Sequence, residues 1–174
     1  MTINSALPST AGPRQSVALD GSEALRLLGS VSLGRIVFTQ HALPTIRPVN
    51  HLLDNGSIII RTHEGSALTS HTRHSNASNG SDRPGGSEGS DGPGVVVAYE
   101  ADDIDPATRL GWSVVVTGYA RLVTDPRELA RYRALLHPWV QQTMDYTVRI
   151  HPDLVTGIRL IAVDEPVAGP PAAE

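Results

Sequence analysis

The chain contains no cysteine, so disulfide frameworks, thiolate zinc sites, cysteine nucleophiles and cysteine-ligated clusters are excluded. It contains no lysine either. All 14 basic residues are arginine, and 18 acidic residues bring the formal net charge to -4. A lysine Schiff base and a P-loop lysine are thereby ruled out, and the acidic balance argues against nucleic acid as a partner. No stretch approaches the roughly 18 to 20 apolar residues that would span a bilayer. The first 19 residues lack the charged start and apolar block of a secretory signal, so a cytoplasmic protein with no membrane association is expected. Also missing are a Gly-x-Ser-x-Gly elbow, a Walker loop and a Gly-x-Gly-x-x-Gly turn, which removes the usual signatures of serine hydrolases, nucleotide-triphosphate motors and Rossmann dehydrogenases.

What is present suffices for one cored domain: 174 residues, 40% of them hydrophobic. Residues 1–18 and 166–174 are polar, Pro- and Ala-rich stretches without hydrophobic period and read as flexible tails. The domain runs from 19 to 165. Within it, residues 69–94 carry no Ile, Leu, Val, Met or aromatic side chain, and twelve of them are Gly or Ser. Such a segment cannot bury enough apolar surface to offset its ordering entropy, so it is expected to be a disordered insertion.

Elsewhere strand signals dominate. Leu33 to Gln40, Thr45 to Leu53 and Ser57 to Thr62 form an antiparallel succession, with Asp54-Asn55-Gly56 as the second turn because Asn and Gly tolerate positive φ. Val95 to Ala101 and Trp112 to Val123 follow, then Tyr146 to Ile150 and Leu154 to Val163 around a break at His151-Pro152-Asp153. Two short helices are expected. Ser22 to Leu28 is capped by Ser22 or Asp20 and ended by Gly29; Asp125 to His137 has Asp125 as cap, Pro126 at the first position and an apolar stripe of Leu129, Tyr132, Leu135 and Leu136. The fold class that results is mainly β, a six- to seven-stranded closed antiparallel barrel with two or more short helices.

Three clusters bear on chemistry. Arg61-Thr62 ends the third strand, and Ser66 follows after a Gly; a guanidinium fork with two hydroxyls suits one phosphate, and a solvated strand-end arginine is the alternative. Arg47-Pro48-Val49-Asn50 lies in the preceding strand. Pro48 cannot donate to a ladder, so pairing is expected to be interrupted there, either for a ligand or because the strand is an edge. Trp112-Ser113 opens the long strand, where the indole either stacks on a planar ligand or belongs to the core. His63, His71 and His74 lack carboxylates at ligand spacing, so no metal site is expected. No side chain stands out as a catalytic acid or base.

Taken in order, "GRIVFTQHALPTIRPVNHLLDNGSIIIRTHEGS", "VVVAYEADDID" and "GWSVVVTGYARLV" resemble the flavin-binding split barrel of the pyridoxamine 5'-phosphate oxidase-like family, in its small actinobacterial-type branch. The resemblance implies a homodimer with FMN in clefts between two barrels and a small-molecule substrate. It implies that Arg47, Pro48, Val49 and Asn50 flank the ring and ribityl chain, that Arg61 and Thr62, with Ser66 of the same cluster beside them, hold the phosphate, and that Ser113, beside Trp112, meets the polar edge of the ring. A flavin carries the redox chemistry itself, which accounts for the missing acid and base. The chain departs from the family at Ala67-Leu68, where basic residues usually stand, and in the insertion that follows. The expected function is an FMN-binding oxidoreductase passing electrons or hydride to a small organic acceptor; the alternative is a non-catalytic split-barrel protein binding flavin, deazaflavin or haem.

Overall fold

The computed structural model describes residues 12–62, 94–137 and 144–163. The insertion expected at 69–94, apart from Gly94, and the tail at 166–174 lie outside the described residues. The element order is β1 (Arg14–Ala18), α1 (Gly21–Leu28), β2 (Leu33–Gln40), β3 (Leu43–Asp54), β4 (Ser57–Thr62), β5 (Val95–Ile104), β6 (Gly111–Leu122), α2 (Pro126–Leu135) and β7 (Tyr146–Ala162). All pairings are antiparallel, in the order β1-β7-β4-β3-β2-β5-β6, and a further pairing of β7 with β6 closes six strands into a ring. No helix among the described residues is long and apolar enough to cross a membrane.

The alternation of each strand sorts its side chains. In β4, Ile58 and Ile60 point into the barrel, while Ile59 points out to a second cluster with Val123 and Tyr132. Burial on both faces explains why the Ile58–Ile60 run shows no polar alternation. Ile36, Tyr99, Val114, Val116, Val148 and Ile150 complete the interior, and Ala24 and Leu28 of α1 close one end of it. Asp20 caps α1 by accepting the Glu23 amide at 2.9 Å. Gly29 ends the helix with an ordinary right-handed conformation. Its value is space, because a Cβ there would lie 3.2 Å from Leu53.

Three expectations need correction. Residues 14–18, placed in the flexible tail, form β1, whose backbone pairs with residues 158–162 of β7. The break expected at His151-Pro152-Asp153 is a bulge within one continuous strand: Thr117 faces Leu154 and Gly118 faces Pro152, so Asp153 is the extra residue. Nor is the ladder interrupted at Pro48, which pairs opposite Arg35. The His51 amide donates to Ser32 of the β2 side, so the nitrogen of Pro48, three residues away, faces the opposite edge. On that edge the β3–β4 pairing has already ended at His51 and Ile60, and the missing donor costs nothing.

One polar pair sits inside this apolar frame. His51 is buried, its Nε2 lies 2.9 Å from the carbonyl oxygen of Leu28 and its Nδ1 2.8 Å from the Tyr99 hydroxyl. The carbonyl can only accept, so Nε2 carries the proton and Nδ1 accepts from Tyr99. The pair ties the end of α1 to β3 and β5. Gly34 makes room for it, since a Cβ at that position would meet the Tyr99 hydroxyl at 2.5 Å.

Two outcomes follow from this packing. Gly118→Ala would drive a methyl group into the His151 carbonyl oxygen, so urea denaturation should show a loss of about 3 kcal/mol or more. Burial holds His51 below its ordinary value of 6.5. The unfolded chain therefore takes up the proton first, and stability should fall as pH drops from 6.5 toward the depressed folded value. Melting temperatures measured across that range on the wild type and on His51→Gln should show the slope only in the former.

Candidate functional site

The site is organised by α2, which lies on the outer face of β3 and β4. Asp125 starts the helix by accepting the amides of Arg127 and Glu128 at 2.7 and 3.1 Å, ahead of Pro126. The helix is fastened by Asp54 at the end of β3. Arg131 donates to both of its oxygens, at 2.9 and 2.8 Å, and the Tyr132 hydroxyl donates to Oδ2 at 2.7 Å. Arg149 of β7 then donates to the Tyr132 hydroxyl at 2.9 Å and to Glu128 at 2.7 Å. Arg131 holds the Asp54 carboxyl below the ordinary carboxylate range, with Tyr132 helping, and burial pushes the Tyr132 phenol up. Of the expected stripe, Tyr132 and Leu136 are buried, whereas Leu135 is exposed.

Docked in this way, α2 delivers its carboxyl end to Arg61. The Arg61 guanidinium donates to the Leu136 carbonyl at 3.2 Å and to the Met144 carbonyl at 2.7 Å, bracketing the segment between α2 and β7. Its Nε is buried without a hydrogen-bond partner among the described residues. Burial presses against the Arg61 charge first, then the like charge of Arg133, and Asp145 offsets part of this. Asn50 reaches the same place, donating its amide to the His137 carbonyl at 2.7 Å. Arg61 and Asn50, from two predicted clusters, are thus brought together. Thr62 is buried opposite Tyr146, and Ser66 lies outside the described residues.

The strand period divides the other predicted residues. Val49 packs on the barrel interior, whereas Pro48 lies on the outer face with Arg35 and Glu100, so the four residues Arg47 to Asn50 do not present one surface. Arg47 is exposed, and its guanidinium donates to the carbonyl of Ile46 at 3.3 Å. Trp112 belongs to the core, and Ser113 is half-buried on the outer face between Asp102 and Ile158. Trp112 borders a cavity of about 290 Å³ with Leu110, Arg159 and Leu160. Along β7, Arg61 stands opposite Thr147 and Trp112 opposite Arg159, twelve residues on, or roughly 40 Å of strand. Within one protomer the two do not line this cavity together.

A larger cleft opens where β2 and β5 part. Their pairing covers only Arg35–Val37 and Ala98–Glu100. Beyond it, Ser30, Ser32, Leu33 and Asp102 line a space of about 710 Å³, with Arg35 at its side. Arg35 donates from one nitrogen to Glu100 at 2.9 Å and Asp102 at 2.8 Å, and these acids raise its affinity for its proton. Leu33 pairs with Asn50 and Asp102 with Ser113, so the cleft lies between two of the predicted site residues. Sequence reasoning missed this cleft and the Asp54–Arg131–Tyr132–Arg149–Glu128 clamp. Asp54 reads as a turn residue, and its partners stand 77 and 78 residues away with no local spacing to reveal them.

Comparison with known proteins adds to this geometry. Residues 20–159 match the family model for pyridoxamine 5'-phosphate oxidase. The chain is 49% identical over 162 residues to the uncharacterized protein Rv0080 of Mycobacterium tuberculosis, covering 93% of this chain and 97% of that one. It is similar to the crystal structure of a candidate pyridoxamine 5'-phosphate oxidase from Corynebacterium glutamicum, at 34% identity and a TM-score of 0.62, over 86% of this chain and 100% of the other. It is also similar to a FAD-binding protein from Mycobacterium smegmatis, at 30% identity and a TM-score of 0.56, over 83% and 98% of the two chains.

The clamp makes its own prediction. Tyr132→Phe keeps the ring and removes one donor to Asp54 and one acceptor for Arg149, so chemical denaturation should show a loss of about 1 to 3 kcal/mol. Hydrogen exchange at Leu136 and Asp145 should rise in the same variant, because the end of α2 is then held less firmly.

Proposed function

The chain belongs to the pyridoxamine 5'-phosphate oxidase family, and from that premise we propose that it is a flavin-dependent oxidoreductase holding FMN between two copies of itself. The observation that carries this reading is the convergence of Arg61 and Asn50 at the end of α2. There a buried guanidinium nitrogen has no partner among the described residues, and two arginines stand near one carboxylate. These residues fit a phosphate group. The cleft flanked by Asn50 and Ser113 suits a planar ring, and the FAD-binding relative lends the flavin reading support.

A second copy enters the proposal for a geometric reason. The row Ile46–Val37–Ala98–Thr117–Leu154 crosses five strands on the outer face, beside the row Pro48–Arg35–Glu100–Val115–Thr156. Ile46, Val115 and Leu154 are exposed there, as is Ile158 one row further on. An apolar face of this kind is suited to a partner surface. Homodimerisation through it would cover the cleft and complete a pocket that one protomer leaves open.

In this reading Arg61 and Asn50 orient the ligand, Ser113 bonds its polar edge, and the apolar face of the partner excludes water. A bound flavin supplies hydride or electron transfer between a reductant and a small organic acceptor. The departure at Ala67-Leu68, together with the engagement of Arg61 by two carbonyls, favours one rival reading: a split-barrel protein that binds flavin, deazaflavin or haem without turnover.

Titration by fluorescence quenching tests the proposal. The wild type should bind FMN, and Arg61→Ala should weaken FMN by about 1.5 to 3 kcal/mol while leaving riboflavin nearly unchanged. Equal losses for both ligands would assign Arg61 to the fold alone. Steady NADPH oxidation with a quinone or nitroaromatic acceptor, dependent on added FMN, should separate the oxidoreductase from the non-catalytic binder.

A further inference from the structure

We propose that Arg133, on the last turn of α2, joins Arg61 as the second cation of a phosphate-type oxyanion site, standing in for the basic residues absent at Ala67-Leu68. The inference deepens the flavin reading and rests on it for the identity of the ligand; the oxyanion chemistry rests on the residues themselves.

Arg133 lies three residues before Leu136, whose carbonyl accepts from Arg61, so one turn of helix brings both arginines to the same end of α2. Elsewhere on this face Arg131 is in contact with Asp54 and Arg149 with Glu128. Among the described residues, Arg61 and Arg133 make no such ion pair, and the Arg133 charge bears unfavourably on Arg61. The carbonyls at a helix carboxyl end favour a cation, and one arginine already satisfies two of the local acceptors. A second adds repulsion that Asp145 offsets only in part. The Arg61 Nε, buried and without a partner, adds a donor at the same point. A phosphate oxyanion between the two guanidinium groups would relieve the repulsion and occupy the free donors. FMN carries that group as a monoester and FAD as a pyrophosphate, and the site chemistry is common to both.

The test is thermal denaturation of the full chain against inorganic phosphate, run with wild type, Arg133→Gln, Arg133→Lys and Arg127→Gln, which removes a charge from the opposite end of α2. Phosphate should raise the melting temperature of the wild type and Arg127→Gln, raise that of Arg133→Lys partly, and leave Arg133→Gln unmoved. Parallel titrations with FMN, FAD and riboflavin should show Arg133→Gln losing about 10-fold in affinity for whichever phosphorylated flavin the wild type binds and nothing for riboflavin. An equal phosphate response in wild type and Arg133→Gln, or no response in the wild type, overturns the proposal. A phosphate response that depends on Arg133 in a protein that binds no flavin would keep the oxyanion site and defeat the flavin reading. Flavin binding with an unchanged FMN-to-riboflavin ratio in Arg133→Gln would do the reverse.

Discussion

The double pairing of β7 holds the molecule together. Residues 146–150 bond to β4 on one flank, residues 148–160 bond to β6 on the other, and the far end also receives β1. An open sheet would leave two long edges unpaired, and closing six strands removes most of that liability. One strand can serve three neighbours only if it bends. The bulge at Asp153 provides the bend, and the absence of a side chain at Gly118 lets β6 approach the bent backbone. The interior isoleucines and valines pack because the ring is closed, and α1 can plug its end because the ring has a fixed width.

Around that ring, charge is distributed with a clear division. Arg35 is matched by Glu100 and Asp102, Arg159 by Glu23, Arg131 by Asp54 and Arg149 by Glu128. In a chain with no lysine, most described arginines at helix-to-sheet contacts therefore serve as forks gripping carboxylates, a role suited to planar, preorganised donors. Arg61, half-buried at the end of α2, donates instead to two backbone carbonyls. Its acceptors, the carbonyls of Leu136 and Met144, give it a second duty in tying the end of α2 to the residues just before β7.

Much of the fold was legible because it rests on local signals. β2 and β4 match their expected bounds, and the Asp54-Asn55-Gly56 turn has both Asn55 and Gly56 at positive φ, as its chemistry requires. Asp125 caps the second helix as expected, and of the two caps expected for the first, Ser22 and Asp20, it is Asp20 that serves. β1 was not legible, because Arg14 to Ala18 has no apolar period of its own and is a strand only by virtue of β7 beside it. The site was partly legible for the same reason. Residue types suggested which side chains carry chemistry, but whether Asn50 meets Arg61 or Trp112 depends on ring closure, which no spacing along the chain encodes. Trp112 shows the limit: a bulky ring at a strand start reads equally as ligand platform or core, and the fold decides for core.

Pro48 has a consequence beyond its own strand. Residues 43–50 of β3 have β2 on one side and no strand among the described residues on the other, so the amides and carbonyls of that side enter no ladder there. A flat row of that kind is the natural seed for runaway fibre growth, in which chain after chain adds by backbone bonding. With an imide nitrogen in the middle of the row, an incoming strand loses a bond where it would need to lock register. Along this edge, copies of the chain are thereby steered away from filament growth.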